Sequence, residues 1–470
     1  MNIRWLWLAG LLVVASSRAL AAEGDLPPSV WSALQRAQIP ETALGVFVQR
    51  VGDSAPLLTI HAERAMNPAS TMKLVTTYAA LEMLGPAYTW KTTVSSNAVQ
   101  AGTVLDGDLY LRGSGDPKLV VESFWLMLRQ LRARGVRTIR GDLVLDHGLF
   151  EGTAVDPGAF DGEPSKPYNV GPDALLVNFK AITLRFVPDE ARREVHVSSE
   201  PMLADFDVAG VAYADGACGD WKARIAPDLS RPDRIGFAGS YPASCGEQTW
   251  NVAVLDHRRY VGALFRALWT ELGGSLGGSV RDGVVPADAR TLVEHESPSL
   301  SEVVRDINKY SNSVMARELF LTLGSDATRV PSNLDRAQRA VRAFYAAKNL
   351  AMPELVLENG SGLSRRERIS AQSMGRLLQA AWTSPVMPEL ISSLPLVGFD
   401  GTMRKRLNQR SVAGQAHVKT GSLADVRAVA GYVLTASGRY CVVVAIVNHV
   451  NASGAAAAQD ALLQWVYENG

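Results

Sequence analysis

Apolar and polar positions along the chain change rhythm twice. Leu44 to Val51 is a nearly unbroken apolar run, Gly52-Asp53-Ser54 reads as a turn, and Leu57 to Ala62 reads as a returning strand. Together they predict a hairpin. The stretch 22–42 before them reads as helical or irregular. A helix follows from Ser70 to Leu84, stopped by Gly85-Pro86. From Thr89 to Val285 the rhythm shifts to short strands and turns, among them Trp90–Val94, Gly107–Leu111, Gly141–Leu145, Ala181–Phe186 and Glu194–Val197. Helical spacing interrupts them at Val120–Arg134 and Tyr260–Leu272, and 151–180 reads as a long surface loop. Helices then return: Ser299–Asn308, opened by the capping-box pattern Ser299-Leu300-Ser301-Glu302, then Ser311–Leu323, Ser332–Lys348 and Ser370–Thr383. The chain closes with a hairpin, Arg427–Thr435 and Arg439–His449, and a helix at Ala455–Tyr467. Strands at both ends with helices between them predict one sheet built from the two termini. The fold class is therefore α/β and multi-domain, with the mainly β block 89–285 inserted, as two sub-domains, into a domain made of 22–88 and 286–470.

Chemistry enters at Ser70-Thr71-Met72-Lys73. Residues three apart share a helix face, so the Ser70 hydroxyl and the Lys73 amine can meet. A serine is a poor nucleophile until a neighbouring base takes its proton. A helix start also offers free backbone N–H groups to a developing negative charge. Alone, the tetrapeptide would be read as a helix cap and a solvated lysine. Lys419-Thr420-Gly421-Ser422 follows an extended segment and precedes a strand. Its charge and hydroxyls suit a substrate carboxylate, and Gly421 lets a ligand backbone come close. Ser311-Asn312-Ser313 sits at the junction of two helices.

In this order, Ser-x-x-Lys, a serine-rich tripeptide and Lys-Thr-Gly match the serine acyl-transfer set of penicillin-binding proteins and β-lactamases. The long insertion, Asn359-Gly360-Ser361-Gly362-Leu363-Ser364-Arg365 and Asp400-Gly401-Thr402-Met403 narrow the match. The mature chain resembles the class C low-molecular-weight penicillin-binding proteins, the D-alanyl-D-alanine carboxypeptidase/endopeptidase family. The resemblance implies a serine β-lactamase/transpeptidase-like domain. It implies Ser70 as nucleophile on the penultimate D-alanine carbonyl, Lys73 as general base and Ser311 as proton relay. Lys419 and Thr420 would hold the substrate carboxylate, with Gly421 and Ser422 beside them and the N–H groups of Ser70 and Ser422 as oxyanion hole. Arg365 matches the family's Gly-Ser-Gly-Leu-Ser-Arg motif as a secondary substrate-binding residue, and Asp146 with Phe150 matches a segment of the insertion that would reach the diaminopimelate end of the substrate. Two lysines near one serine are expected to depress each other's pKa and keep Lys73 neutral. No cofactor is implied. The implied partners are peptidoglycan stem peptides and β-lactam inhibitors, and the resemblance leaves room for a homodimer and for peripheral membrane association.

Two positions depart from the family pattern. Ser313 stands where the middle motif, Ser-x-Asn, has asparagine, and Ala424 stands where some members have glutamine. Asn312 would point elsewhere on a helical turn. A hydroxyl is shorter than an amide and offers one donor instead of two. Reduced activity is one reading; a peptidoglycan-binding or sensing protein on the same fold is the other. A β-lactamase is the weakest reading, since no deacylating glutamate motif is identifiable.

Composition bounds the rest. The chain has 470 residues, 47% hydrophobic and 20% charged, with formal net charge zero. There is no basic excess to suggest nucleic acid. Residues 1–21 read as a cleavable secretory signal: Asn2-Ile3-Arg4, an apolar run Trp5–Ala15, and Ala19-Leu20-Ala21. Export to the periplasm is expected, hence oxidising conditions. Cys218 and Cys245 lie in loop-like surroundings and are expected to pair; Cys441 lies in an apolar strand as a core thiol. No cysteine or histidine spacing supports a metal site. Gly273-Gly274-Ser275-Leu276-Gly277 mimics a nucleophile elbow, but the expected helix precedes it rather than follows.

Overall fold

The structure is a computed structural model that describes residues 25–231, 233–325 and 330–470. The expected signal segment, 1–21, lies outside the described residues. Among the described residues no helix is long and apolar enough to cross a membrane.

One five-stranded antiparallel sheet is built from both ends of the chain. Its strands are β1 (Leu44–Arg50), β2 (Leu58–Ile60), β3 (Ala416–Leu423), β4 (Val426–Leu434) and β5 (Tyr440–Asn448), in the order β3-β4-β5-β1-β2. Period-two alternation splits β5 between two cores. Val442, Val444 and Ile446 face the helices that carry the site; Cys441, Val443, Ala445 and Val447 face Pro28–Arg36 and the C-terminal helix Ala456–Asn469. A strand covered on both faces reads as one apolar run, which is why its sequence lacks alternation.

On the site face lie α1 (Lys73–Leu84), α2 (Leu300–Lys309), α3 (Ser313–Thr322), α4 (Leu334–Ala347) and α5 (Ala371–Trp382). Lys73 to Leu81 is buried at every position. A helix wrapped on all sides holds its side chains with little freedom. At the opening of α2, Ser299 is the N-cap residue, but its hydroxyl meets the Glu302 carboxylate at 3.2 Å instead of a backbone N–H. The capping-box pattern is therefore present without its first hydrogen bond.

The inserted block has its own core. Strand 91–96 pairs with 290–296, which closes a five-stranded sheet downstream of the expected boundary at 285. A second group of strands surrounds Arg234–Pro242 and Ile182–Asp189. Cys218 and Cys245 form a disulfide there, and Cys441 is a free, buried thiol. The 151–180 segment is irregular as expected, yet its second half is not surface: Val170 and Leu175 to Val177 are buried. Arg317 on α3 donates to the Val170 carbonyl at 2.9 Å, and Glu318 accepts from the Asp173 N–H at 2.9 Å.

Candidate active site

The site begins at Asn67. This buried side chain accepts from the Ala69 N–H at 2.9 Å and donates to the Ser364 carbonyl at 2.9 Å. Its backbone is gripped from the sheet by Asn448, which accepts from the Asn67 N–H and donates to its carbonyl. Ala69 is thereby held at φ 44°. Residues Ala69–Met72 form one 3₁₀ turn and α1 continues from Lys73. Ser70 sits on the tight turn, half-buried, rather than on the α-helix proper.

Two glycines let other segments close on this turn. A Cβ at Gly421 would lie 2.6 Å from the Pro68 carbonyl oxygen and 3.1 Å from the Ser70 nitrogen. A Cβ at Gly362, whose φ is 77°, would lie 1.9 Å from the Ala69 carbonyl oxygen. Gly421 thus admits the protein's own Ser70 turn against β3, which corrects the expectation that it clears space for a ligand backbone.

Lys73 donates to Ser70 Oγ at 3.1 Å, Ser313 Oγ at 3.0 Å and the Ser361 carbonyl at 2.5 Å. Three acceptors exhaust an ammonium's three donors. The chain between α2 and α3 explains the middle motif. Ser311 is not helical: it stands at φ 57°, a left-handed turn between the two helices. Asn312 then caps α3, its side chain accepting from the Met315 N–H at 3.0 Å. The kink aims Ser311 at Lys419, which donates to Ser311 Oγ at 2.8 Å, and leaves Ser313 facing Lys73.

Lys419, Thr420, Gly421 and Ser422 lie within β3, not before a strand. As the edge of the sheet, β3 has one free side. The first half of that side is covered, because Val397 donates to the Ala416 carbonyl and Val418 donates to the Pro395 carbonyl. Backbone groups alternate along a strand. The N–H groups of Thr420 and Ser422 therefore share the outer side with that of Val418, beyond the covered stretch and beside the Ser70 turn. Thr420 Oγ1 and Thr402 Oγ1 are 2.7 Å apart. The buried Lys309 holds Asp400, two residues before Thr402, at 2.6 Å.

Burial pushes Lys73 well below its ordinary pKa; Lys419 and Arg317 push the same way, and Glu367 opposes them. Burial alone pushes Lys419 down to about 7. The expected mutual repulsion thus acts on Lys73 as a second cause and is not what moves Lys419.

Arg365 stands at the rim of this cluster. It pairs with Asp425 at 3.0 Å, and its guanidinium lies 4.9 Å from the centre of the Phe160 ring, between the β3–β4 turn and the inserted loop. A cavity of about 350 Å³ lined by Phe160, Arg317, Leu363, Arg365 and Arg366 adjoins it. Asp146 lies elsewhere. It is buried and held by Arg112 at 3.2 Å and by the N–H groups of Gly148 and Val285. All these contacts are inside the inserted block, and Phe150 packs on Gly115 beside it. Sequence reasoning did not single out Ser361, Thr402 or Glu367. The first two lie in stretches used only as family motifs, and Glu367 lies in a charged run that reads as solvated surface.

Comparison with known proteins decides the family. The chain matches the D-Ala-D-Ala carboxypeptidase 3 (S13) family over residues 27–469. The chain belongs to this family. Within this D-Ala-D-Ala carboxypeptidase family it is 30% identical to the D-alanyl-D-alanine carboxypeptidase of Actinomadura sp. (strain R39), covering 97% of this chain and 88% of that one. It is 23% identical to D-alanyl-D-alanine carboxypeptidase DacB of Haemophilus influenzae over 87% and 86% of the two chains. The crystal structure of penicillin-binding protein 4 (dacB) from H. influenzae matches with a TM-score of 0.80 at 22% identity, over 93% of this chain and 99% of that one. The predatory peptidoglycan endopeptidase Bd3459 of Bdellovibrio bacteriovorus matches with a TM-score of 0.52 at 16% identity, over 91% and 92%.

Proposed function

We propose that this serine D-Ala-D-Ala carboxypeptidase works through an acyl-enzyme on Ser70 and also cuts D-Ala–meso-diaminopimelate cross-links. The observation that carries this is a buried lysine 3.1 Å from a serine hydroxyl, with a second lysine held behind Ser311. Lys73, kept neutral by burial, takes the Ser70 proton as Oγ attacks the carbonyl carbon of the penultimate D-alanine. The developing oxyanion faces the N–H groups of Ser70 and Ser422. Lys419 and Thr420 hold the terminal carboxylate. The C–N bond then breaks as the proton taken by Lys73 is relayed through Ser311 to the leaving amine, which returns Lys73 to its neutral form. Water, deprotonated by Lys73, attacks the ester, and Ser70 recovers its proton. A cross-link differs only in its leaving amine, so the same residues serve both reactions. Arg365 is the candidate contact for the far end of the substrate. Asp146 would have to leave Arg112 and two backbone donors to join it.

A β-lactam presents the same amide in a ring, so its leaving amine stays tethered and water is kept out. A penicillin G-acylated form of Bd3459 and a β-lactam complex of the H. influenzae protein are known, which supports this reading. Residues 1–21 carry the inference of export to the periplasm. Ser313 favours catalysis over a sensing role, because its hydroxyl still occupies a donor of Lys73.

Incubation with cross-linked muropeptides, followed by mass spectrometry, tests the proposal. Release of D-alanine and of monomers by the wild type, lost by about 10³-fold or more in Ser70→Ala, is expected. Products unchanged in Ser70→Ala, or a wild type that neither cleaves nor is labelled by a fluorescent penicillin, would overturn it.

A further inference from the structure

We propose that Glu367 is a positioning residue for Lys73, acting through the Ser361 carbonyl and taking over part of the lysine's orientation where the middle motif carries a hydroxyl. The inference rests on Lys73 being the base for Ser70. Glu367 is fully buried, and its carboxylate is the centre of a loop wound around it. Oε1 accepts from the N–H groups of Glu358, Asn359 and Gly360 at 3.1, 2.9 and 2.8 Å, and Oε2 accepts from that of Gly362 at 2.9 Å. Burial pushes the pKa of Glu367 above the ordinary carboxylate value, and the four converging N–H groups oppose that push by favouring the ionised form.

A loop whose N–H groups point inward turns carbonyls outward. The Gly360 carbonyl accepts from Thr76 Oγ1 at 2.6 Å, and the Ser361 carbonyl accepts from Lys73 Nζ at 2.5 Å. Both partners lie on α1, one helical turn apart. Gly360 and Gly362, at φ 70° and 77°, make the winding feasible. Asn359 Oδ1 ties the Ser361 N–H and hydroxyl at 3.0 and 2.7 Å, so the peptide cannot swing away. The Ser361 carbonyl is thus the one acceptor of Lys73 with no rotatable side chain: Ser70 and Ser313 both present hydroxyls. It sets where the lysine's remaining lone pair can point once Nζ is neutral.

Glu367 has a second, electrostatic effect. The charged groups acting on Lys73 are Lys419 on β3 and Arg317 on α3, which lower its pKa, and Glu367, which raises it. Removing the carboxylate charge while keeping its shape therefore moves Lys73 further down.

The test is the pH dependence of acylation by a fluorescent penicillin. Glu367→Gln puts an amide NH₂ against donor N–H groups and removes the charge. The expected result is a rate lower by about 10- to 100-fold, with half-saturation nearly unchanged and the acid limb displaced to lower pH. Adding Ser313→Asn, which supplies an amide oxygen to Lys73, is expected to restore part of that rate. Glu367→Asp retracts the carboxylate by one methylene and keeps its charge, so it lowers the rate with the limb in place. It carries the test alone if the glutamine variant does not fold. Wild-type rate and pH profile in Glu367→Gln, or wild-type rate in Glu367→Asp, would overturn the proposal. An unlabelled wild type would instead overturn the acyl-enzyme reading itself.

Discussion

Lys419 has two hydrogen-bond partners, the Ser311 hydroxyl and the Thr420 carbonyl, and neither carries charge. Burial lowers its pKa to about 7. Below that pH it is a cation; above it, the cation is lost and with it the proposed anchor for the substrate terminus. The sign is therefore a fall in kcat/KM as pH rises through about 7. A bound carboxylate favours the charged form, so the same limb lies higher in kcat than in kcat/KM. Because Lys73 feels Lys419, the two limbs belong to the pair rather than to either residue. Hydrolysis of a D-Ala-D-Ala peptide and of its C-terminal amide, followed from pH 5 to 9, checks this. The free acid is expected to show the alkaline limb and the amide to lack it. Equal limbs would mean that Lys419 does not hold the carboxylate. At the same scale the Ser313 hydroxyl meets Lys73 at 3.0 Å.

Three elements converge on Ser70: the 3₁₀ turn, β3 and the 358–362 loop. Gly421 isolates the approach of β3, because its backbone is ordinary strand and only space is at stake. Gly421→Ala would push β3 off the turn by several tenths of an ångström and separate the N–H groups of Ser70 and Ser422. Penicillin acylation is expected to drop about 10²-fold while the melting temperature stays close to wild type. Unaltered acylation would remove the oxyanion hole from the β3 edge. Much at this scale was legible in the sequence. The apolar run of β5, the glycine-closed hairpin of β1 and β2, and the helix after Ser70 follow from periodicity and turn chemistry, as does the sheet made from both termini. What stayed hidden depends on backbone direction. Nothing in Tyr310-Ser311-Asn312 announces a left-handed residue between two helices. Nothing in Arg365-Arg366-Glu367-Arg368 announces a buried carboxylate, because a solvated charge run and a loop wound around one anion share the same composition. Gly360 and Gly362 were the available signal, since two glycines two residues apart permit that winding.

Across the whole molecule, two adjacent residues of α3 hydrogen-bond to the 151–180 segment of the inserted block. Arg317 holds Val170, and Glu318 holds the N–H of Asp173, whose carboxylate meets His147 at 3.2 Å. Glu318 is fully buried, and its Oε2 has no hydrogen-bond partner among the described residues. Burial, with Asp173 and Asp116 nearby, pushes its pKa well above the ordinary carboxylate value. The native state then binds a proton that the unfolded chain releases. Stability is complete below the unfolded pKa near 4.5 and declines as pH rises toward the folded value. Glu318→Gln keeps the acceptor for Asp173 and abolishes the titration. Thermal unfolding at pH 4 and pH 8 separates the outcomes. The variant is expected to match wild type at pH 4 and to melt higher at pH 8, by about 2 °C or more, with activity retained. A variant that melts lower at both values would mean that Glu318 is ionised and paired with Arg317. The join between the two blocks would then be held by charge, and wild type would gain stability with rising pH instead of losing it.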